Sequence, residues 1–186
     1  MPSNISSAIV FIVDALTSLY LLVLLLRFWM PWLGADFRNP LAQGILRFTS
    51  PLVIPVRRFV PSFGRLDTAT VLVAFAIQYL TVLLLLLILG GSAGAAAIAL
   101  TAVVKLAALS INLFVFAIFI RIILSWIGQG GYNPATAIIT TLTEPVLRPF
   151  RRFIPPMGGF DLSPIVAVIL LMAATIVVNG LNPLGI

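Results

Sequence analysis

The chain contains no cysteine and no histidine. Disulfides, thiolate nucleophiles, imidazole bases and the common Cys/His zinc sites are thereby excluded. Charge is scarce as well: 9% of the 186 residues are charged, against roughly a quarter in a soluble domain. The five acids, Asp14, Asp36, Asp67, Glu144 and Asp161, fall on separate segments, so no carboxylate pair is set up for acid–base work. Neither a glycine-rich phosphate loop nor a nucleophile elbow occurs. These absences argue against an enzyme and call for no cofactor or metal. What fills the chain instead is apolar: 61% of residues are hydrophobic and the mean hydropathy is +1.20. That is the composition of an integral membrane protein.

A bilayer crossing takes about 20 apolar residues. Four segments qualify, roughly Ile5–Leu26, Ala69–Leu89, Ile98–Ile120 and Pro164–Leu181. The first has no cationic stretch before it and no small-residue cleavage site after it, so it reads as a retained span rather than a signal peptide.

The same 41-residue pattern occurs twice at a constant offset of 94, residues 27–67 aligning with 121–161 at 15 identical positions. Arg27, Trp32, Gly34, Asn39, Pro40, Thr49, Pro51, Pro55, Arg57, Arg58, Phe59 and Asp67 are among those that recur. Residues 1–92 and 93–186 therefore read as two copies of one unit, each a helix, a repeated loop and a second helix. Each unit crosses the membrane twice, so the copies are parallel rather than inverted repeats. The inverted architecture of many transporters, with its site at the midplane, is not expected.

All ten arginines lie in the two repeated loops, while both tails and the Gly90–Ala97 connection carry no basic side chain. Basic loops stay in the cytoplasm, so both loops should face it, with the termini outside. The sequence pI of 11.2 reflects these arginines, placed to set topology and meet anionic headgroups, and not direct nucleic-acid binding.

Within each loop, Asn39-Pro40 and Asn133-Pro134 have the cap-then-proline form of a helix start. Leu41, Ile45, Phe48 and Leu52 follow at helical spacing, as do Ala135, Ile139, Leu142 and Val146, which predicts one apolar stripe per helix. Pro51 and Pro55, with Pro145 and Pro149, should break these helices. The arginine pairs Arg57-Arg58 and Arg151-Arg152 sit among Val56, Phe59 and Val60, or Phe150, Phe153 and Ile154, a pattern suited to the headgroup layer. Trp29, Trp32 and Trp126 read as interfacial anchors. Asp67 and Asp161 read as N-caps of the following spans, as clasps to the arginine pairs, or as both.

The run Asn39-Pro40, Pro51-x-x-x-Pro55-x-Arg57-Arg58-Phe59, Pro61, Gly64 and Asp67, with its copy Asn133-Pro134, Pro145-x-x-x-Pro149-x-Arg151-Arg152-Phe153, Pro155, Gly158 and Asp161, resembles the YggT family. With the flanking helices, the resemblance covers almost the whole chain. It implies a two-domain bacterial inner-membrane protein associated with osmotic stress, cell-division gene neighbourhoods or, in plastid relatives, nucleoid distribution and cytochrome assembly. The first copy has Ser50 where the second has Glu144.

Two charges lie inside the spans. Asp14 is about 20 Å before Arg27 and Lys105 about 24 Å before Arg121, at 1.5 Å per helical residue. They sit at comparable depth with opposite sign. An ion pair between the halves, snorkelling of Lys105 to the outer interface and a wet ion path all remain open. Gln78, Asn112 and Asn179 suit interhelical hydrogen bonds, and small residues such as Ala74, Ala107, Ala108 and Ser110 suit a compact bundle or a homo-oligomer.

The expected fold is all-α: four membrane helices in two parallel hairpins with interfacial helices on the cytoplasmic face. The expected function is that of a non-enzymatic scaffold or assembly factor. Arg57, Arg58, Arg151 and Arg152 would engage anionic lipid and a membrane-protein partner, while Asp67 and Asp161 hold the loops. The alternative is a small channel or transporter component acting through Asp14 and Lys105.

Overall fold

A computed structural model describes residues 4–127, 133–153 and 161–186, apart from the side chains of Trp126 and Ile127. The Trp126 anchor, Ile154 and the second-copy motif residues Gly128, Pro155 and Gly158 lie outside the described residues.

The described chain forms six helices: α1 (Asn4–Leu33), α2 (Pro40–Arg57), α3 (Thr68–Ile88), α4 (Ala95–Ile127), α5 (Pro134–Phe153) and α6 (Ser163–Asn179). No extended strand occurs among the described residues, and the single β-bridge, Phe63 to Leu66, merely closes a turn. Three helices are long and apolar enough to cross a membrane: α1, α3 and residues Ala95–Ser125 of α4. The fourth, α6, is equally apolar but has 17 residues. At 1.5 Å per residue it measures about 26 Å, a few ångströms short of a typical hydrocarbon core.

The repeat in sequence is a repeat in space. In each half the first and third helices lie against one another and the second rests on both. Leu21, Leu24, Val53, Val73 and Ala74, joined by Ala69, form the core of the first half, and Val115, Ile118, Leu147, Ala167 and Val168 that of the second. Apart from Ala69, these are the same five positions displaced by 94. Leu and Val exchange places between the first and third positions, Val and Ala between the fourth and fifth, and one Leu becomes Ile. The five shared positions keep their total volume, the kind of exchange close packing tolerates best. Around these cores Phe11, Leu19, Leu80, Leu87, Ile176 and Val177 point outward and are exposed. In water so much outward apolar surface would drive aggregation; it fits a multi-pass membrane protein.

Three local expectations are corrected. The first and third spans do not stop at Leu26 and Ile120: α1 runs through Arg27 to Leu33 and α4 through Arg121 to Ile127. Arginine is a good helix former, and Met30 in the added turns is fully buried, so packing carries the helix onward. Gly34, at φ +74°, then ends α1, with Ala35 N–H donating to Met30 C=O at 3.0 Å as in a Schellman cap.

The loop prolines do not break their helices. Pro51 and Pro55 lie inside α2, and Pro145 and Pro149 inside α5. All four are exposed. Each pair is four residues apart, so both missing N–H groups fall on one outward face while the core-facing bonds persist.

The predicted apolar stripe of α2 faces outward. Leu41, Phe48 and Leu52 are exposed, whereas Ala42, Thr49 and Val53 are buried. The buried side is set by the arginine that docks on Thr49, described below. In α5 the equivalent stripe is partly covered, and Leu142 is buried with Met30, Ala42 and Ile138 between the repeats.

Trp29 is also more than an anchor. Its ring packs edge-on against Phe114 of α4 at 5.1 Å, and its Nε1 donates to Ser110 at 3.4 Å. It joins the two halves, while Trp32 remains exposed.

Candidate functional site

In each repeat the site is assembled where the long first helix passes the amphipathic second helix. Thr49, in the interior of α2, donates its hydroxyl to Ile45 C=O at 2.7 Å and accepts from Arg27 Nη1 at 2.8 Å. Thr143 repeats both bonds, to Ile139 C=O at 2.7 Å and from Arg121 Nη1 at 2.8 Å. A threonine turned onto its own helix keeps its second lone pair for a neighbouring donor. The guanidinium thus locks the first helix to the second.

The carboxylates differ between copies. In the first, Asp67 Oδ2 accepts from Arg57 Nη2 and from Thr70 Oγ1 at 2.7 Å, and lies 3.5 Å from Arg27 Nε. Its Oδ1 receives Thr70 N–H at 3.3 Å, capping α3. Burial tends to raise the Asp67 carboxyl, but the Thr70 hydroxyl, then the Arg57 charge, hold it below the usual range. In the second copy Glu144 Oε2 accepts from Arg121 Nη2 at 2.8 Å, and Glu144 Oε1 from Arg151 Nη1 at 2.9 Å. Arg151 Nε also donates to Asp161 Oδ2 at 2.8 Å, and Asp161 Oδ1 receives Ser163 N–H at 3.0 Å. The Arg121 hydrogen bond, aided by the Arg151 charge, lowers Glu144. For Asp161, burial pulls upward and the Ser163 and Arg151 hydrogen bonds prevail, leaving it low. Asp67 therefore combines capping with clasping, whereas Asp161 clasps Arg151 and holds Ser163 N–H from one residue before Leu162, the N-cap position of α6.

The arginine pairs divide their labour. Arg57 and Arg151 turn inward to these carboxylates, whereas Arg58 and Arg152 are exposed and form no ion pair among the described residues. Asn39 Oδ1 caps α2 by accepting Leu41 N–H at 2.9 Å, and Asn133 Oδ1 caps α5 through Ala135 N–H at 2.9 Å. Asn39 Nδ2 also reaches the other repeat, donating to Pro134 C=O at 2.8 Å.

Far from these clusters, Lys105 Nζ donates to Asp14 Oδ1 at 2.7 Å, joining α4 to α1. Lys105 also lines a polar cleft of about 170 Å³ with Ser18, Gln78, Asn112 and Asn179. Asn112 Oδ1 accepts from Thr175 at 3.4 Å, whereas the buried Gln78 Nε2 has no hydrogen-bond partner among the described residues. No group of three or more acidic side chains that could hold a metal occurs among the described residues.

Sequence reasoning named Arg57, Arg58, Arg151 and Arg152 but passed over Arg27, Arg121, Thr49 and Thr143, which organise the clusters. The signal was present: all four belong to the fifteen positions identical between repeats. A threonine kept beside prolines in an otherwise variable helix marks a polar contact to another segment.

Comparison with known proteins agrees with the internal repeat. The CCB3/YggT family matches residues 6–88 and 100–182, two segments again displaced by 94. An uncharacterized protein of Pseudomonas aeruginosa is 40% identical over 181 residues, covering 96% of this chain and 92% of its own. The uncharacterized protein YggT of Escherichia coli K12 is 34% identical over 166 residues, covering 89% and 86%. The chloroplastic YlmG homolog protein 2 of Arabidopsis thaliana is 40% identical over 68 residues, 35% of this chain and 26% of its own. No solved structure is significantly similar. With both repeats matched and relatives aligned over most of its length, the chain belongs to the CCB3/YggT family.

Proposed function

We propose that the protein is a non-enzymatic scaffold or assembly factor of the bacterial inner membrane, acting in envelope, division or osmotic-stress processes. Four helices, α1, α3, α4 and α6, cross the bilayer, with the short α6 spanning a locally thinned region. Both arginine clusters face the cytoplasm and both termini face outward, as the distribution of basic residues favours. The helices α2 and α5 lie in the cytoplasmic headgroup layer. Their prolines and exposed apolar residues suit that depth.

The observation that carries this reading is a matched pair of outward side chains at the ends of α2 and α5. Arg58 stands beside Phe59, 85% exposed, and Arg152 beside Phe153, 84% exposed. Internal structure consumes Arg57 and Arg151 but leaves these two cationic–aromatic pairs for anionic lipid and a membrane-protein partner. Photo-crosslinkers placed at Phe59 and Phe153 in living cells test the proposal. A discrete foreign protein captured at both positions, and lost on replacing Arg58 and Arg152 together, is the expected result. Capture of lipid or of this chain alone at both positions would sink the scaffold reading.

A second reading, a small channel or transporter component, draws on the cleft around Lys105 and the unpartnered Gln78 amide. It requires that Asp14→Asn or Lys105→Gln alter ion or osmolyte flux in vesicles at unchanged folding.

A further inference from the structure

A cleft of about 400 Å³ opens beside the first arginine cluster, lined by Arg27, Arg57, Ser62, Arg65 and Asp67 among others. Three guanidiniums face one carboxylate there. That carboxylate is already committed, to Thr70 through both oxygens and to Arg57 through one. Arg27 is the unusual member. Only 4% exposed, it directs Nη1 to Leu46 C=O, Thr49 and Ser50, while its buried Nε makes no hydrogen bond despite lying 3.5 Å from Asp67. Its Nη2 forms no hydrogen bond among the described residues and, unlike Nε, is not fully buried. A buried guanidinium donor left without a hydrogen-bond acceptor is costly.

The second repeat shows what such a cluster takes. There the atom equivalent to Arg27 Nη2, Arg121 Nη2, donates to Glu144 Oε2 at 2.8 Å, and the same carboxylate spans to Arg151. The residue at the Glu144 position in the first repeat is Ser50, whose hydroxyl is too short to bridge and is turned to Leu46 C=O at 2.6 Å. The first copy also adds Arg65 where the second has Gly159. It therefore offers one cation more and one built-in carboxylate fewer, around an open cleft.

We infer that this cleft is an oxyanion site, taking a phosphate group bound by Arg27, Arg57 and Arg65 in the place that Glu144 supplies covalently in the second repeat. Forked guanidinium donors match phosphate oxygens in both charge and geometry, and the Ser62 hydroxyl adds a further donor at the rim. A single carboxylate would satisfy two arginines, as Glu144 does, whereas three arginines and a hydroxyl suit the extra oxygens and charge of phosphate. The phosphate is either that of an anionic lipid headgroup or a free phosphate. The headgroup source rests on the proposal that these loops lie at the membrane surface; the oxyanion chemistry does not.

The test uses the full chain purified in an uncharged detergent and follows its thermal unfolding midpoint. Inorganic phosphate at constant ionic strength should raise the midpoint saturably, since a ligand of the folded state stabilises it. Ser50→Glu, which builds in the carboxylate of the second repeat, should weaken the apparent affinity by about tenfold or more, the equivalent of about 1.4 kcal/mol. Ser50→Ala should leave it nearly unchanged. Arg65→Ala, at an exposed position, should weaken it without threatening the fold. Mixed micelles with phosphatidate in place of phosphate identify the source: saturation at lower concentration than inorganic phosphate points to a headgroup, and response to inorganic phosphate alone to a free anion. No saturable shift with either, or shifts unchanged in both Ser50→Glu and Arg65→Ala, would overturn the inference. Neither result bears on crosslinking at Phe59 and Phe153, so the site and the scaffold reading fail separately.

Discussion

In the first repeat one carboxylate, Asp67, lies between Arg27 and Arg57 with its side chain 10% exposed. In the second, two carboxylates, Glu144 and Asp161, share Arg121 and Arg151 with side chains 43% and 34% exposed. The scaffolding is common to both: the Arg–Thr lock, the capping asparagine and the aspartate before the third helix. The charge balance is not. Six arginines face two aspartates in residues 27–67, whereas four face two acids in residues 121–161. The surroundings differ accordingly. The helix α5 reaches across to α1, but α2 makes no contact with α4 among the described residues. One copy buries its carboxylate beside a cation-rich cleft, and the other pairs its arginines with two more exposed carboxylates. A duplicated unit can thus keep its fold through a handful of polar locks while one substitution, Ser50 against Glu144, redirects its chemistry.

The largest difference between the copies should appear at the lock itself. Arg27→Ala leaves Asp67 buried without one of its two cations and should cost about 3–5 kcal/mol, the range for breaking a buried pair. Arg121→Ala, in the more open cluster, should cost about half that. Denaturant unfolding in detergent measures both, and equal losses would erase the distinction. Next, Glu144→Ser makes the second cluster resemble the first. It should cost about 1 kcal/mol, because the pair is partly screened by solvent. Part of that loss should return when phosphate is added, as read from the unfolding midpoint.

Acid should act on both copies, and on the first through Asp67 in particular. The Asp67, Glu144 and Asp161 carboxyls are held low in the fold. Their contribution is complete above the ordinary carboxyl range, near about pH 4, and disappears as pH falls through the lower folded values. Asp67→Asn should flatten the acid limb of a melting-temperature profile more than Asp161→Asn does. The smallest effect on stability, under about 0.5 kcal/mol, belongs to Arg58→Ala and Arg152→Ala, which are exposed. The same pair should reduce binding to anionic vesicles in a salt-sensitive way, measured by flotation.

Much of this was legible in the residues. The offset of 94 gave the twofold organisation, and hydropathy gave the long helices. Asn39, Asn133, Asp67 and Asp161 declared themselves by their position before a proline or an apolar run. Asp14 and Lys105, left open between pairing and separate fates, meet as an ion pair. Helix continuity through the prolines was not legible, because it depends on both rings sharing an exposed face. What covers the α2 stripe was left open for a related reason. Periodicity reports that one side is apolar, but not whether protein or lipid covers it, and the Arg27–Thr49 bond decided the orientation. The differing roles of Arg57 and Arg58 also turn on rotation about a helix, which adjacent identical residues cannot reveal.

The proposed topology puts both arginine clusters on one side of the membrane. Because the chain has no cysteine, single cysteines can be introduced without background. Replacing Arg58, Arg152 and Ser92 one at a time and applying a membrane-impermeant maleimide tests this topology directly. Positions 58 and 152 should be protected in intact spheroplasts and react in inverted vesicles, with position 92 doing the reverse. Labelling of 58 and 152 from opposite sides would contradict parallel repeats and, with them, the shared cytoplasmic surface on which the proposed function depends.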